Sequence, residues 1–137
     1  MSTITISRTV AAPPDEAWRA WADAGELARW WWPQLPDTNY DWTPEEGAAY
    51  RIDSVAAGFG VHGVFTRVDR PRLLALTWIW SSDEPGASPE DTVEVSFEAE
   101  GADKTVVTVR HTSVAHVAEG GAEQGWNAVM DRLVELR

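Results

Sequence analysis

The sequence predicts an α+β fold in which a curved antiparallel sheet of six to seven strands wraps round a long C-terminal helix. Apolar residues between Ala122 and Leu136 recur at steps of three and four, as they do on one face of a helix. From Ala49 to Thr112, apolar and polar residues alternate in short segments separated by turns. Such closely spaced segments predict strands that pair antiparallel. We expect residues 1–137 to form a single domain.

The N-terminal part predicts one strand followed by two short helices. Thr3–Val10 alternates apolar and polar residues, which is typical of a strand with one buried face. Pro13-Pro14-Asp15-Glu16 then opens a helix, because proline is tolerated in a first turn and acidic residues suit the helix N-terminus. Gly25 indicates a break, and a second helix is predicted over Glu26–Trp31, ending before Pro33.

The middle of the chain predicts a loop and then a run of strands. The loop covers Pro33–Glu46 and includes a candidate short strand at Asn39–Trp42. A long polar connection is predicted at Ser81–Asp91, between the third and fourth of the strands that follow. The five predicted strands are Tyr50–Val55, Val61–Asp69, Leu73–Trp80, Thr92–Glu100 and Thr105–Thr112.

Composition excludes several classes of function. The 137 residues include nine tryptophans and no cysteine, so a disulfide, a thiol nucleophile and a thiolate metal site are excluded. No apolar run approaches the roughly 20 residues of a membrane span. The net charge of −11 opposes binding to nucleic acid and to anionic membranes. With no signal-peptide pattern at the N-terminus, we expect a cytoplasmic protein.

Four segments resemble one known family. They are Trp18–Asp23 with Leu27–Trp31 and Pro33; Glu46–Arg51; Gly63–Val68 with Pro71, Leu74, Thr77 and Trp78; and His111 with Gly125, Trp126, Met130 and Leu133. Together they are similar to the helix-grip fold of the START or SRPBCC superfamily, and within it to the family homologous to the activator of the heat-shock-protein-90 ATPase. Trp32 lengthens the family's tryptophan pair to three. The resemblance implies the fold but leaves function open, because the superfamily includes lipid and hormone binders, polyketide cyclases, resistance proteins and chaperone co-factors.

Motifs for nucleotide and metal binding are weak. Gly58–Gly63 spells G-x-G-x-x-G, but a strand follows it where a dinucleotide site needs a helix, so we interpret its glycines as turn and strand residues. The histidines are His62, His111 and His116, and their spacing fits no common metal motif. We therefore predict neither a metal nor a cofactor.

Candidate site residues are mostly aromatic. His111, Tyr50 and His62 are candidate acids or bases, although a hydrogen-bonded structural histidine is the more frequent role for His111. The residues alone leave open whether the aromatic rings line a cavity or fill a solid core, and the resemblance favours a cavity. The predicted ligand contacts are Trp31, Trp42, Tyr50, Trp78, Trp80, Val95, Phe97, His111, Trp126 and Met130.

Three functions follow from these residues and the resemblance. The first is binding of a small hydrophobic, aromatic or polyketide-like molecule between sheet and C-terminal helix, in natural-product biosynthesis or self-resistance. The second is a cyclase or dehydratase acting on a polyketide-like substrate. The third is a module that interacts with a chaperone ATPase. A homodimer is left open.

Overall fold

The computed structural model describes residues 2–33, 35, 37–82, 90–113 and 121–136. Over these residues the chain forms a seven-stranded antiparallel sheet and three helices, which confirms the predicted fold class. The elements are β1 (Ser2–Val10), α1 (Pro14–Ala22), α2 (Ala24–Leu27), β2 (Thr38–Asp41), β3 (Ala49–Ser54), β4 (Phe59–Asp69), β5 (Leu73–Ser82), β6 (Glu90–Ala99), β7 (Thr105–Ser113) and α3 (Gly121–Leu136). Most of the predicted loop Ser81–Asp91 lies outside the described residues.

The strands follow the order β1-β7-β6-β5-β4-β3-β2, so the first strand pairs with the last. Ile6 lies opposite Val109, and Val109 lies opposite Val95 on the neighbouring strand. These three side chains are buried on one face, which we call the inner face. The exposed residues Glu94 and Arg110 lie opposite each other on the outer face. The alternation in the sequence thus specifies which face of the sheet is dry.

The two short helices follow β1 as predicted, but the second one is shifted. Asp23 ends α1 and also begins α2, because its side chain accepts a hydrogen bond from the backbone N–H of Gly25 at 2.8 Å. Gly25 therefore lies inside α2, and the prediction of a break at Gly25 and a helix over Glu26–Trp31 is wrong. The chain leaves the helix after Leu27 and turns, which carries Trp31 toward the sheet.

Helix α3 packs its apolar stripe on the inner face of the sheet. Trp126, Val129, Met130 and Leu133 are all buried, as the sequence periodicity predicts. An arginine of β1 fixes the outer side of the helix: Arg8 donates from Nε to Asp131 at 3.0 Å and from Nη2 to Asn127 at 2.7 Å. These bonds hold α3 in a fixed rotation about its axis.

Two glycines of the G-x-G-x-x-G motif allow neighbouring strands to approach closely. A Cβ atom at Gly60 would lie 2.6 Å from the carbonyl oxygen of Ile52, and one at Gly63 would lie 2.3 Å from the carbonyl oxygen of Thr77. The β4–β5 register shifts just beyond Gly63, between Phe65 and Arg67, as at a β-bulge. These glycines therefore have a structural role within a sheet, in agreement with the interpretation from sequence.

Candidate aromatic cavity

An open cavity of about 510 Å³ lies between the inner face of the sheet and α3. This volume falls in the range of typical small-molecule sites, roughly 300–1,000 Å³. Its wall combines the segment after α2, strands β4 to β7 and one side of α3. The lining residues are Trp31, Trp32, Phe59, Trp78, Trp80, Asp91, His111, Gly125, Trp126 and Val129.

Three aromatic residues form the more exposed part of this wall, and we call them the outer aromatic group: Trp32, Phe59 and Trp80. Phe59 and Trp80 stack with their ring centroids 5.2 Å apart, and Trp32 meets each of them edge-on at 5.0 and 6.0 Å. Trp80 is 40% exposed. Trp32 has φ 54°, a left-handed conformation that a bulky residue rarely adopts. Such backbone strain is typical of functional sites.

Three further tryptophans form the inner aromatic group: Trp31, Trp78 and Trp126. All three are at least nine-tenths buried. Their ring centroids lie 5.0 Å apart for Trp78 and Trp126, 5.3 Å for Trp31 and Trp126, and 5.8 Å for Trp31 and Trp78. Burial of large apolar rings against one another stabilises the wall, since such pairs add about 0.5–1.5 kcal/mol beyond their buried area.

A chain of hydrogen bonds runs from the inner aromatic group to a buried carboxylate. The indole Nε1–H of Trp126 donates to Nδ1 of His111 at 3.0 Å, and Nε2 of His111 lies 2.8 Å from Oδ2 of Asp91. An indole N–H can only donate, so Nδ1 of His111 must be an acceptor without a proton. The proton of the neutral imidazole then lies on Nε2 and is donated to Asp91. The geometry thus fixes both the tautomer and the orientation of His111.

Two buried polar atoms of the wall have no hydrogen-bond partner among the described residues: Oδ1 of Asp91 and Nε1 of Trp31. Asp91 is 5% exposed, and among the described residues it forms no ion pair with a lysine or arginine. Buried polar atoms are nearly always paired, and an uncompensated buried carboxylate is costly. The cavity wall therefore contains one acceptor and one donor that no described residue pairs.

Half of the predicted ligand contacts lie in the cavity wall: Trp31, Trp78, Trp80, His111 and Trp126. The other half lie outside this wall: Trp42, Tyr50, Val95, Phe97 and Met130. Val95 and Met130 are fully buried in the packing between sheet and α3. Phe97 is displaced from the cavity because it packs against α1, with its ring 5.2 Å from that of Trp18.

Tyr50 and Trp42 have structural contacts that explain their position. The Tyr50 hydroxyl donates to the carbonyl oxygen of Thr77 at 2.6 Å, at the bulge of β4 and β5. Burial raises the pKa of this phenol above its ordinary value, so the hydroxyl stays a neutral donor. Trp42 packs edge-on against Tyr50 and Phe65, and its indole N–H donates to the carbonyl oxygen of Trp21. Both residues thus belong to the core beside the cavity.

His62 lies on the outer face of the sheet, away from the cavity between the inner face and α3. It pairs with Ile79 across β4 and β5, and its Nδ1 lies 3.2 Å from the hydroxyl of Ser81. The inner face at this level carries Val61 and Trp80. His116 lies outside the described residues.

Sequence reasoning missed Trp32, Phe59, Asp91, Gly125 and Val129 as wall residues. For Phe59 and Asp91, the sequence contained a signal that could have placed them in the wall. Strand β4 begins at Phe59 and β6 at Glu90, each two residues before the predicted start. Extending the alternation of Val61 or Val93 backward by two positions puts Phe59 and Asp91 on the inner face.

Family membership follows from a comparison of the whole chain. The family model described as activator of Hsp90 ATPase homolog 1-like protein matches residues 11–137. The chain belongs to this family. Comparison with curated proteins gives no significant match.

Solved structures similar to this family member share its fold at low identity. The protein MLL2253 from Mesorhizobium loti has 20% identity and a TM-score of 0.82, with 98% of this chain and 96% of that chain covered. CalU16 from Micromonospora echinospora has 24% identity and a TM-score of 0.72, covering 98% and 73%. DynU16 has 22% identity and a TM-score of 0.78, covering 98% of this chain and 46% of that chain. These structures confirm the helix-grip fold.

A second, more open depression of about 350 Å³ lies beside α1. It is lined by Trp18, Arg19, Ala22, Asp23 and Arg70. It encloses less space and presents less apolar surface, so the aromatic cavity is the better candidate site.

Within the described residues, no helix has the length and apolar character needed to cross a membrane.

Proposed function

We propose that this protein binds a small, flat, hydrophobic molecule in the aromatic cavity between sheet and α3. The observation that carries the proposal is an open volume of about 510 Å³ walled by six aromatic rings. Large aromatic side chains could have closed this space, yet they surround it. Flat indole faces suit a flat ring system, which would gain apolar burial and stacking at the same time.

The ligand's route into the cavity is supported by exposure along the wall. Trp80 is 40% exposed, and Gly125 of α3 is exposed as well. A Cβ atom added at Gly125 would meet nothing within 4 Å. A ligand would therefore enter past the outer aromatic group and Gly125, and its ring system would reach the inner aromatic group.

Family and neighbours agree with a binding role. The helix-grip fold of this family is a ligand-binding fold, and DynU16 is described as a protein in the dynemicin biosynthetic locus. A ligand from natural-product biosynthesis or self-resistance would fit both the cavity and this neighbour.

A titration of the purified protein with flat aromatic polyketides, sterols and fatty acids tests the proposal. We expect saturable quenching of tryptophan fluorescence and a melting temperature that rises with ligand concentration. Binding to the native state alone stabilises by about 2.7 kcal/mol at a ligand concentration of roughly 100 times Kd. No response to any member of the panel would contradict the proposal.

A variant that narrows the cavity localises the binding. Gly125→Leu adds a side chain where the wall is open, and it replaces a helical glycine with a good helix former. We expect this variant to fold and to lose binding. Gln124→Leu is the matched control, because Gln124 is exposed on the same turn and lies outside the wall. Equal binding by both variants would place the ligand elsewhere.

A cyclase- or dehydratase-type enzyme is the second candidate, and Oδ1 of Asp91, which no described residue pairs, favours it. That atom could accept a proton from a bound substrate. His111 is a weaker candidate base, since both of its nitrogens are already hydrogen-bonded. Turnover of a polyketide-like substrate that is lost in Asp91→Asn would support this role, and binding without turnover would exclude it for that substrate.

A further inference from the structure

The buried carboxylate of Asp91 specifies the polar part of the ligand. Asp91 lies in the wall of an otherwise aromatic cavity, and its Oδ1 has no partner among the described residues. This inference rests on the proposed function, and it adds the chemical class of the ligand.

The neighbour that bonds Asp91 does not neutralise its charge. His111 is held as the neutral tautomer, because its Nδ1 accepts the indole N–H of Trp126. A protonated imidazole would direct a second N–H at that indole N–H. The His111–Asp91 pair therefore carries one net negative charge at a site where Asp91 is 5% exposed.

The surrounding rings complement a positive charge. Trp78 lies directly opposite Asp91 in the β5–β6 register, and its ring centroid lies 5.0 Å from that of Trp126 and 5.8 Å from that of Trp31. Indole faces attract cations within about 6 Å of the ring centroid, and tryptophan does so best. Aromatic walls beside an acidic side chain form the kind of cage that binds organic ammonium groups.

We propose that the cavity binds an arylalkylamine in its protonated form, with the ammonium group donating to Oδ1 of Asp91 and the ring system lying against the tryptophans of the wall. A cation would supply both a hydrogen bond to Oδ1 and a compensating charge, whereas a neutral hydroxyl would supply only the hydrogen bond. The overall charge of −11 adds a field that attracts cationic ligands.

Three probes of one shape test this proposal by isothermal titration calorimetry near neutral pH. They are naphthylmethylamine, which is protonated there, naphthalenemethanol, which is a neutral hydrogen-bond donor, and methylnaphthalene, which is neither. We expect the amine to bind at least about tenfold more tightly than the alcohol. Equal affinities for amine and alcohol would overturn the proposal.

Two variants assign the selectivity to Asp91. Asp91→Asn keeps the size of the side chain and removes its charge, so we expect the amine to lose its advantage while methylnaphthalene still binds. Glu94→Gln removes a charge from the exposed outer face of the same strand and should leave the selectivity unchanged. Selectivity retained in Asp91→Asn would refute the role of the carboxylate.

The outcomes separate this inference from the proposed function. Binding of methylnaphthalene without preference for the amine would leave the cavity as a hydrophobic site and refute the amine. Failure of all three probes to bind, with no response to the larger panel, would refute both.

Discussion

Replacing Trp126 with phenylalanine should destabilise the protein more than the same replacement at Trp21. Both indoles are buried, at 4% and 1% exposure, and both substitutions remove the same atoms. Their indole N–H groups differ in pairing: Nε1 of Trp126 donates to His111 at 3.0 Å, whereas Nε1 of Trp21 has no partner among the described residues. The comparison therefore tests the hydrogen bond that fixes His111.

The expected difference follows from the cost of unpaired buried groups. Trp126→Phe leaves Nδ1 of His111, a residue 3% exposed, without its donor, which costs about 1–3 kcal/mol. Trp21→Phe removes a donor that is already unpaired and so relieves a penalty of similar size. Both variants also lose ring contacts. We expect the free energy of unfolding of the Trp126 variant to be lower by at least about 2 kcal/mol.

Urea unfolding followed by far-ultraviolet circular dichroism measures this difference without relying on tryptophan emission. The two variants should give similar m values, so that the midpoints report stability. Free energies of unfolding within about 0.5 kcal/mol of each other would refute the hydrogen-bond assignment. Long-range ¹H–¹⁵N spectra offer an independent check, since His111 of the unsubstituted protein should appear as the Nε2–H tautomer.

Three predictions concern residues beside the bulge of β4 and β5, two of them at Tyr50 and one at Gly63. Tyr50→Phe should cost about 1–2 kcal/mol by removing the hydroxyl that donates to Thr77, and it should leave ligand affinity unchanged, because Tyr50 lies outside the cavity wall. Burial raises the pKa of Tyr50, so its hydroxyl stays neutral in the folded state, whereas in the unfolded state it ionises from about pH 10. Above that pH the unfolded state binds fewer protons than the folded state. The free energy of unfolding therefore falls by up to about 1.4 kcal/mol per pH unit. Urea unfolding at pH values on either side of about 10 should show a smaller fall in Tyr50→Phe, and an equal fall would contradict the linkage. Gly63→Ala should cost about 1–3 kcal/mol or more in the same assay, because its Cβ would lie 2.3 Å from the Thr77 carbonyl oxygen; unchanged stability would mean that the strands separate freely there.

The fold was largely predictable because its signals are periodic. Alternation in Thr3–Val10 and the three-to-four spacing in α3 each specify an element and its buried face. The second helix was mispredicted because one side chain decides its start: Asp23 caps α2, and no periodicity marks a helix of four residues.

The candidate site was predictable only in its composition. The sequence indicates that tryptophans surround the space below α3, and three of the predicted ones do form the inner aromatic group. The sequence could not distinguish Tyr50 and Phe97 from residues of the cavity wall. Alternation along a strand shows which face of the sheet a side chain is on, but not where on that face it lies. Tyr50 lies beside the bulge and Phe97 beneath α1, and both positions depend on tertiary packing.

The register of β6 and β7 brings Asp91 next to His111, although no sequence motif indicates this contact. His111 lies opposite Val93, so the diagonal position two residues before Val93 on the same face is Asp91. Diagonal neighbours across a sheet lie within reach of long side chains, which explains the 2.8 Å contact. The two residues are twenty positions apart in the sequence, and the polar pattern of Ser81–Asp91 predicts Asp91 at the end of a loop. Because the β5–β6 register also brings Trp78 opposite Asp91, the two pairings of β6 together assemble the carboxylate, its orienting histidine and an aromatic wall. A buried charge reduces the stability of the protein, which agrees with the proposed role of Asp91 in binding a ligand.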